Sequence, residues 1–202
     1  SIINLRFSCF ILFFYYFIRG IILLALAGFL FEKNWSNAVL TGVIFLLMIA
    51  PSVLKNKYNI YIPFIFDFVI TLFIYLTLFL GSVREFYFRF SWWDDMLHFQ
   101  SGLLLGVIGF LMAYILNESK TLKLTMSAGF VAFFSFCFSL ALANLWEIYE
   151  FAADSLFGYN MQRNSLLDTM SDLIVNIIGA LIVSIIGYFW MRRSKKLPFI
   201  PF

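Results

Sequence analysis

Six long apolar stretches constrain the fold of this sequence more than any other feature. They lie near residues 8–31, 37–54, 60–82, 97–116, 124–146 and 170–191. Each is long enough for a helix to cross about 30 Å of hydrocarbon at about 1.5 Å per residue. Because lipid offers no hydrogen-bond partners, a spanning segment must satisfy its own backbone, as a helix does. We therefore predict an all-α polytopic membrane bundle of about six transmembrane helices, with residues 1–202 forming a single integral membrane domain.

The composition agrees with a membrane protein. Apolar residues make up 63% of the chain and charged residues 12%, against about 45–50% and about 25% in soluble domains. The net charge of +3 does not indicate nucleic-acid binding, because topology accounts for basic residues in short loops and at the C-terminus. Cys9 and Cys137 lie within apolar stretches and predict no disulfide or cysteine-based metal site.

The distribution of Lys and Arg between the loops predicts the orientation. Six spans place both termini on one side of the membrane. Nine basic residues fall on that side, namely Arg6, Lys55, Lys57, Lys120, Lys123, Arg192, Arg193, Lys195 and Lys196. Four fall on the other side, namely Lys33, Arg84, Arg89 and Arg163. Since basic residues favour the cytoplasmic side, we predict that both termini are cytoplasmic.

The acidic residues cluster on the opposite, exoplasmic side. Acidic residues contribute little to membrane topology, so the predicted orientation does not account for this clustering. Three predicted helix ends carry them. Span four opens with Asp94, Asp95 and His98, span five closes with Glu147, Glu150 and Asp154, and span six opens with Asp168, Asp172 and Asn176. Within each set the spacing of three or four residues places the side chains on one helix face.

Small residues continue two of these polar faces into the membrane. Gly102 and Gly106 follow His98, and Gly179 follows Asn176, at steps of three or four residues. Small residues let transmembrane helices approach closely. The acids should therefore face the bundle interior, with spans four, five and six packed together.

An imidazole among several carboxylates favours a divalent metal ion, with Zn, Mn, Mg and Ca as candidates. The predicted ligands are Asp95, His98, Glu147, Glu150, Asp154, Asp168 and Asp172. The predicted catalytic residues, as ligands or acid/base groups, are His98, Glu147, Glu150 and Asp172. A metal ion in an outward-facing site activates water or holds a phosphate. The leading prediction is thus a metal-dependent enzyme acting on a lipid or lipid-linked envelope substrate.

Three other interpretations fit the same acids. They are typical of solvated helix ends, where Asp caps the first turn. They also suit a cation- or proton-coupled transporter, which needs ionisable groups along its path. In a non-catalytic subunit of a larger membrane complex, they would bind a partner subunit.

A second pair of charges lies inside the predicted spans. Arg19 lies near the middle of span one and Asp67 within span three. Charges in hydrocarbon are costly and tend to pair, so we predict a structural ion pair between them. The alternative is that Arg19 binds an anionic lipid head group.

The segments "WWDDMLHFQSGLLLG", "NLWEIYEF" and "DTMSDLIVNIIGALI" resemble the YjdF-type family of small bacterial inner-membrane proteins. More distantly they resemble VanZ-like proteins, which are linked to glycopeptide resistance. The VanZ-like order of residues matches Asp95, His98, Glu147, Asp172, Asn176 and Gly179. The resemblance covers about residues 91–187 and implies a multi-pass protein of the bacterial inner (plasma) membrane. It supports the site but supplies no established reaction.

Overall fold

A computed structural model describes residues 2–58, 63–118, 125–163 and 165–193 of the chain. Within these ranges the regular structure is helical and contains no strand. The helices are α1 (Ile2–Phe31), α2 (Trp35–Tyr58), α3 (Phe64–Ile74), α4 (Phe86–Arg89), α5 (Trp93–Glu118), α6 (Ala128–Phe157) and α7 (Leu166–Arg193). A π-helical segment, Tyr75–Val83, continues α3 directly.

Six helical segments in the described ranges are long and apolar enough to cross a membrane, which confirms the predicted all-α fold with six spans. The third combines α3 with the π-helical segment. Residues 60–62 and 124 of the predicted spans lie outside the described residues. Four of the basic residues counted for topology, Lys120, Lys123, Lys195 and Lys196, also lie outside the described residues. The cytoplasmic orientation of the termini stays a prediction.

Three helix boundaries differ from the prediction. Helix α5 already begins at Trp93, α7 begins at Leu166, and α6 continues to Phe157, so the connection between α6 and α7 is shorter than the bounds of the predicted spans imply. A span predicted from hydropathy ends at the first carboxylate. The helix itself continues past that point when the acidic side chains face the interior of the protein. On α6, Glu147 and Glu150 are buried whereas Ile148 is exposed.

The chain divides into two compact units, Ser1–Trp93 and Asp94–Phe202, and the single domain stays a prediction. In the first unit, α1, α2 and the segment after α3 share an apolar core. Its buried members are Ile18, Ile22, Ile44, Met48 and Phe79.

A buried polar cluster adjoins this core and contains Arg19 and Asp67. Arg19 Nη2 lies 3.7 Å from Asp67 Oδ1 and donates to the Met48 carbonyl at 2.6 Å. Asp67 Oδ2 accepts hydrogen bonds from the hydroxyls of Tyr15 at 3.0 Å and Ser52 at 2.7 Å. The guanidinium also lies 3.9 Å from the centre of the Tyr15 ring. These contacts favour a structural role for both charges.

In the second unit, the backbones of α5 and α7 touch at two glycines. A Cβ atom on Gly179 would lie 2.5 Å from the Phe99 carbonyl oxygen, and one on Gly102 would collide with the Asn176 carbonyl oxygen. No side chain other than hydrogen fits at either position without moving a backbone. The close approach of these helices is therefore encoded by the two glycines.

Serine hydroxyls on α6 bind the same region of α5. Ser135 donates to the Gly106 carbonyl at 2.7 Å, and Ser139 donates to the Gly102 carbonyl at 3.2 Å. Small polar residues commonly join membrane helices in this way. Helices α5, α6 and α7 thus pack together through small residues, as the sequence predicts.

Replacement of Asp67 by Asn should destabilise the protein, because it leaves the Arg19 charge buried without a counterion. The expected loss is about 3–5 kcal/mol of unfolding free energy, as for other broken buried pairs. The double replacement Arg19→Met with Asp67→Asn should lose less than the sum of the two single changes. Thermal unfolding of the four proteins in detergent measures this coupling, and strictly additive losses would contradict the ion pair.

Replacement of Gly179 by Ala should lower the unfolding free energy by about 1–3 kcal/mol, as overpacking of a close contact does. Gly28 is the matched control, since a Cβ there would meet no atom within 4 Å. Gly28→Ala should leave stability unchanged or raise it slightly through helix propensity. Equal melting temperatures for the two variants would show that the α5 and α7 backbones do not touch at Gly179.

Candidate functional site

The first turns of α5 and α7 and the last turns of α6 bring acidic side chains together in the second unit. Asp172 is 2% exposed, Glu147 6%, and His98 and Glu150 8% each. Carboxylates are almost never this buried unless they are paired or bind a cation. The burial of these four residues argues against solvated helix ends.

His98 lies at the centre of this cluster. Its Nε2 is 3.6 Å from Asp94 Oδ1, on its own helix, and its Nδ1 is 3.7 Å from Glu147 Oε1, on α6. Asn176 on α7 donates from Nδ2 to the Ser101 hydroxyl at 3.0 Å and to the His98 carbonyl at 3.4 Å. The imidazole is thus held between carboxylates of two helices, with one ring nitrogen facing each.

Two groups of potential metal ligands share this imidazole. One comprises Asp94, His98 and Asp172, and the other comprises His98, Glu147 and Glu150. In each group every residue offers a ligand atom within 4.8 Å of the others. This is the spacing that a single divalent ion spans with ligand bonds of about 2.0–2.6 Å. All members are buried except Asp94, which is half-buried.

Several oxygen atoms of the cluster accept no hydrogen bond from the described residues. They are both carboxylate oxygens of Glu147, Oδ1 of Asp172 and Oδ1 of Asn176. A buried acceptor without a donor costs about 1–3 kcal/mol, and more when it is charged. All four atoms are acceptors, so a hydrogen-bond donor or a cation would offset the free-energy cost of burying each of them.

Arg163 lies in the loop between α6 and α7 and binds the outer part of the cluster. Its guanidinium is 3.6 Å from Asp94 Oδ2 and donates to Asp168 Oδ1 at 3.2 Å. Its backbone φ is 49°, in the left-handed region that non-glycine residues adopt infrequently. Nothing in the sequence pattern singles out this residue, because its role depends on how the loop folds back.

Asp154 fixes the same loop. Its two carboxylate oxygens accept the backbone amides of Met161 at 2.8 Å and Gln162 at 2.9 Å. Gly158 ends α6 with a φ of 69°, which a glycine adopts readily. Asp154 therefore organises the loop, and it lies outside both ligand groups.

The remaining acids occupy different places. Asp95 lies in neither ligand group, whereas its neighbour Asp94 lies one turn from His98 and contacts it. Asp168 also lies in neither group and pairs with Arg163. The Ser165 hydroxyl accepts the Asp168 amide at 3.3 Å, so Ser165 provides the side-chain cap of α7. Asp168 therefore does not cap α7.

Glu150 has a hydrogen-bond partner on its own helix that the acidic pattern of the sequence does not indicate. Trp146 Nε1 donates to Glu150 Oε1 at 2.9 Å. The i, i+4 spacing of the two residues permits this contact on a helix. The structure brings together four of the predicted ligands, His98, Glu147, Glu150 and Asp172, and their roles in catalysis or metal binding stay predictions.

These features define a class of protein: a polytopic α-helical membrane protein with a buried carboxylate–imidazole cluster at the ends of three spans. The chain belongs to the family described as predicted membrane protein (DUF2238), whose family model matches residues 14–193. This confirms the resemblance to the YjdF-type family, which is the same family.

An uncharacterized protein of Thermotoga maritima is 32% identical to the chain over 123 residues, which are 57% of the chain and 61% of that relative. The similarity thus spans less than two thirds of the relative. No solved structure matches the chain.

Proposed function

We propose that this integral membrane protein is a metal-dependent enzyme of the bacterial inner membrane that acts on a lipid or lipid-linked envelope substrate. The observation that carries the proposal is Glu147, which is 6% exposed and whose two oxygens accept no hydrogen bond from the described residues. Its carboxylate lies within 4.8 Å of ligand atoms of His98 and Glu150. A divalent ion in this place would satisfy all three side chains.

Charge favours this group over the second one. Asp94, in the other group, is already paired with the Arg163 guanidinium, whose positive charge opposes a nearby cation. No ion pair between Lys or Arg and either Glu147 or Glu150 is found among the described residues. We therefore assign the ion to the Nδ1 side of His98.

The Nε2 side of His98 then has a separate role. It faces Asp94 Oδ1 at 3.6 Å. Metal-binding histidines commonly donate their other N–H to a carboxylate, which fixes the tautomer and the ring orientation. Asp94 is thus a positioning residue, and Arg163 holds Asp94 in turn.

Three protein ligands would leave coordination positions open for water and substrate. When a divalent ion is bound, such a water would be nucleophilic at neutral pH. Asp172 is the candidate general base, because it is 2% exposed and its Oδ1 accepts no hydrogen bond from the described residues. In that role, the Asp172 carboxylate would accept the proton that the attacking water loses.

The packing beneath the cluster favours an enzyme over a transporter. A transport path needs free polar groups below the acids. Ser135 and Ser139 instead bind backbone carbonyls of α5, and the contact at Gly179 leaves no space for a Cβ atom. These serines join helices, and they do not supply a path for ions.

The proposal also includes the location in the bacterial inner membrane and the distant relationship to VanZ-like proteins. The excess of Lys and Arg on the terminal side supports cytoplasmic termini and an exoplasmic site. The bacterial relative supports a bacterial membrane. The order of His98, Glu147, Asp172 and Asn176 supports a distant relationship to VanZ-like proteins.

Metal analysis tests this proposal. The protein is purified in detergent, offered Zn, Mn, Mg and Ca in turn, desalted and analysed by mass spectrometry. Wild-type protein should retain about one equivalent of one of them, and His98→Ala or the double change Glu147→Gln with Glu150→Gln should lose at least about tenfold in affinity.

Glu32→Gln is the control, because Glu32 is an exposed carboxylate outside both ligand groups, and it should bind metal like the wild type. Retention of metal by the cluster variants, or no metal in the wild type, would overturn the proposal. In the second case, a protein that purifies with this chain at fixed stoichiometry would support a non-catalytic subunit instead.

A further inference from the structure

We propose that the groove between the end of α6 and the start of α7 binds a membrane amphiphile with an uncharged, hydroxyl-rich sugar head group. This inference deepens the proposed function by naming its substrate class. The inference rests on the proposed function for the reaction that the lipid undergoes. Lipid binding does not depend on that function and is measured separately.

The groove lies beside Glu147 and has a volume of about 580 Å³. Cavities of about 300–1,000 Å³ are typical of small-molecule sites. One wall is the α6 face on which Asn144, Ile148 and Phe151 recur at steps of three and four residues, and Leu166 and Thr169 of α7 form the other. The size and position suit a head group held next to the carboxylate–imidazole cluster.

One part of the lining is apolar and open. Ile148 is 61% exposed, Phe151 62% and Leu166 79%. All three belong to helices that are long and apolar enough to span the membrane, and exposed apolar side chains of such helices contact lipid chains. The acyl chain of an amphiphile can therefore lie against them while its head group occupies the groove.

The other part of the lining is polar and carries no positive charge. None of the ten residues that line the groove, all of which the structure describes, is Lys or Arg, and two of them are acids, Glu147 and Asp154. In the metal-free protein, a phosphate head group would meet these carboxylates without a compensating side-chain cation, which is unfavourable. An uncharged head group avoids this repulsion.

Amides and hydroxyls supply the remaining polar contacts. Asn144, Gln162 and Thr169 line the groove, and Gln162 Nε2 already donates to Thr169 Oγ1 at 3.1 Å. Side chains of these types both donate and accept hydrogen bonds, as sugar hydroxyls do. One oxygen of Glu147 would bind the proposed ion, and the other, which also lacks a donor among the described residues, would accept a hydrogen bond from a sugar hydroxyl. The groove therefore matches a sugar more closely than a phosphate or a simple amine.

Competitive lipid binding tests the inference. The full chain, in a detergent without a sugar head group and with EDTA present, is mixed with equal amounts of glucosyl-diacylglycerol, phosphatidylglycerol and phosphatidylethanolamine of identical acyl chains. Bound lipid is quantified by native mass spectrometry. The glucosyl lipid should be enriched about tenfold over each phospholipid, as one or two additional hydrogen bonds imply.

Two variants and one control locate the binding. Ile148→Trp should fill the groove and abolish the enrichment. Thr169→Val keeps the side-chain volume but removes the hydroxyl, so it should reduce the enrichment even if Ile148→Trp does not fold. Ile186→Trp is the matched control, because Ile186 is 63% exposed on α7 and does not line the groove. It should bind like the wild type.

Equal binding of the three lipids, a preference for either phospholipid, or unchanged enrichment in both groove variants would overturn the inference. The two proposals fail separately. A protein that prefers the glucosyl lipid but binds no divalent metal overturns the proposed enzyme alone. A protein that binds the metal at His98 without a lipid preference overturns the sugar site alone.

Discussion

The close approach of α5 and α7 at Gly102 and Gly179 determines the geometry of the second unit. The two helices run in the same direction, and Gly102 lies beside Asn176. One turn earlier on each helix are His98 and Asp172, which are therefore brought to within ligand-sharing distance of each other. A larger side chain at either glycine would separate the helices and with them the imidazole and the carboxylate.

The polar cluster around Asp67 and the one around His98 differ in how their charges are satisfied. In the first unit, Asp67 Oδ2 receives two hydroxyl hydrogen bonds. Asp67 Oδ1 accepts no hydrogen bond from the described residues but lies 3.7 Å from the Arg19 guanidinium, so the negative charge is compensated by a permanent cation. In the second unit, Glu147 and Asp172 retain acceptors without donors among the described residues. The first arrangement is typical of a structural ion pair, and the second is typical of a site that binds something else.

Much of this architecture follows from sequence periodicity, and the rest depends on tertiary contacts. The apolar stretches predict the six spans, and the spacing of three or four residues predicts that His98, Glu147 and Asp172 share an interior. Periodicity cannot choose between Asp94 and Asp95, because i, i+4 and i, i+3 spacings both reach His98. The roles of Asp154 and Arg163 depend on a loop that folds back between α6 and α7, and hydropathy ended α6 too early because it cannot recognise inward-facing acids.

The claim that a metal ion binds at the imidazole has a direct test, because the chain contains a single histidine. Pulsed electron paramagnetic resonance of the Mn²⁺-loaded protein, labelled with ¹⁵N only in histidine, detects a nitrogen bound to the ion without any mutation. We expect a ¹⁵N hyperfine coupling from one directly coordinated imidazole. Bound Mn²⁺ with no such coupling would place the ion away from His98 and contradict the account.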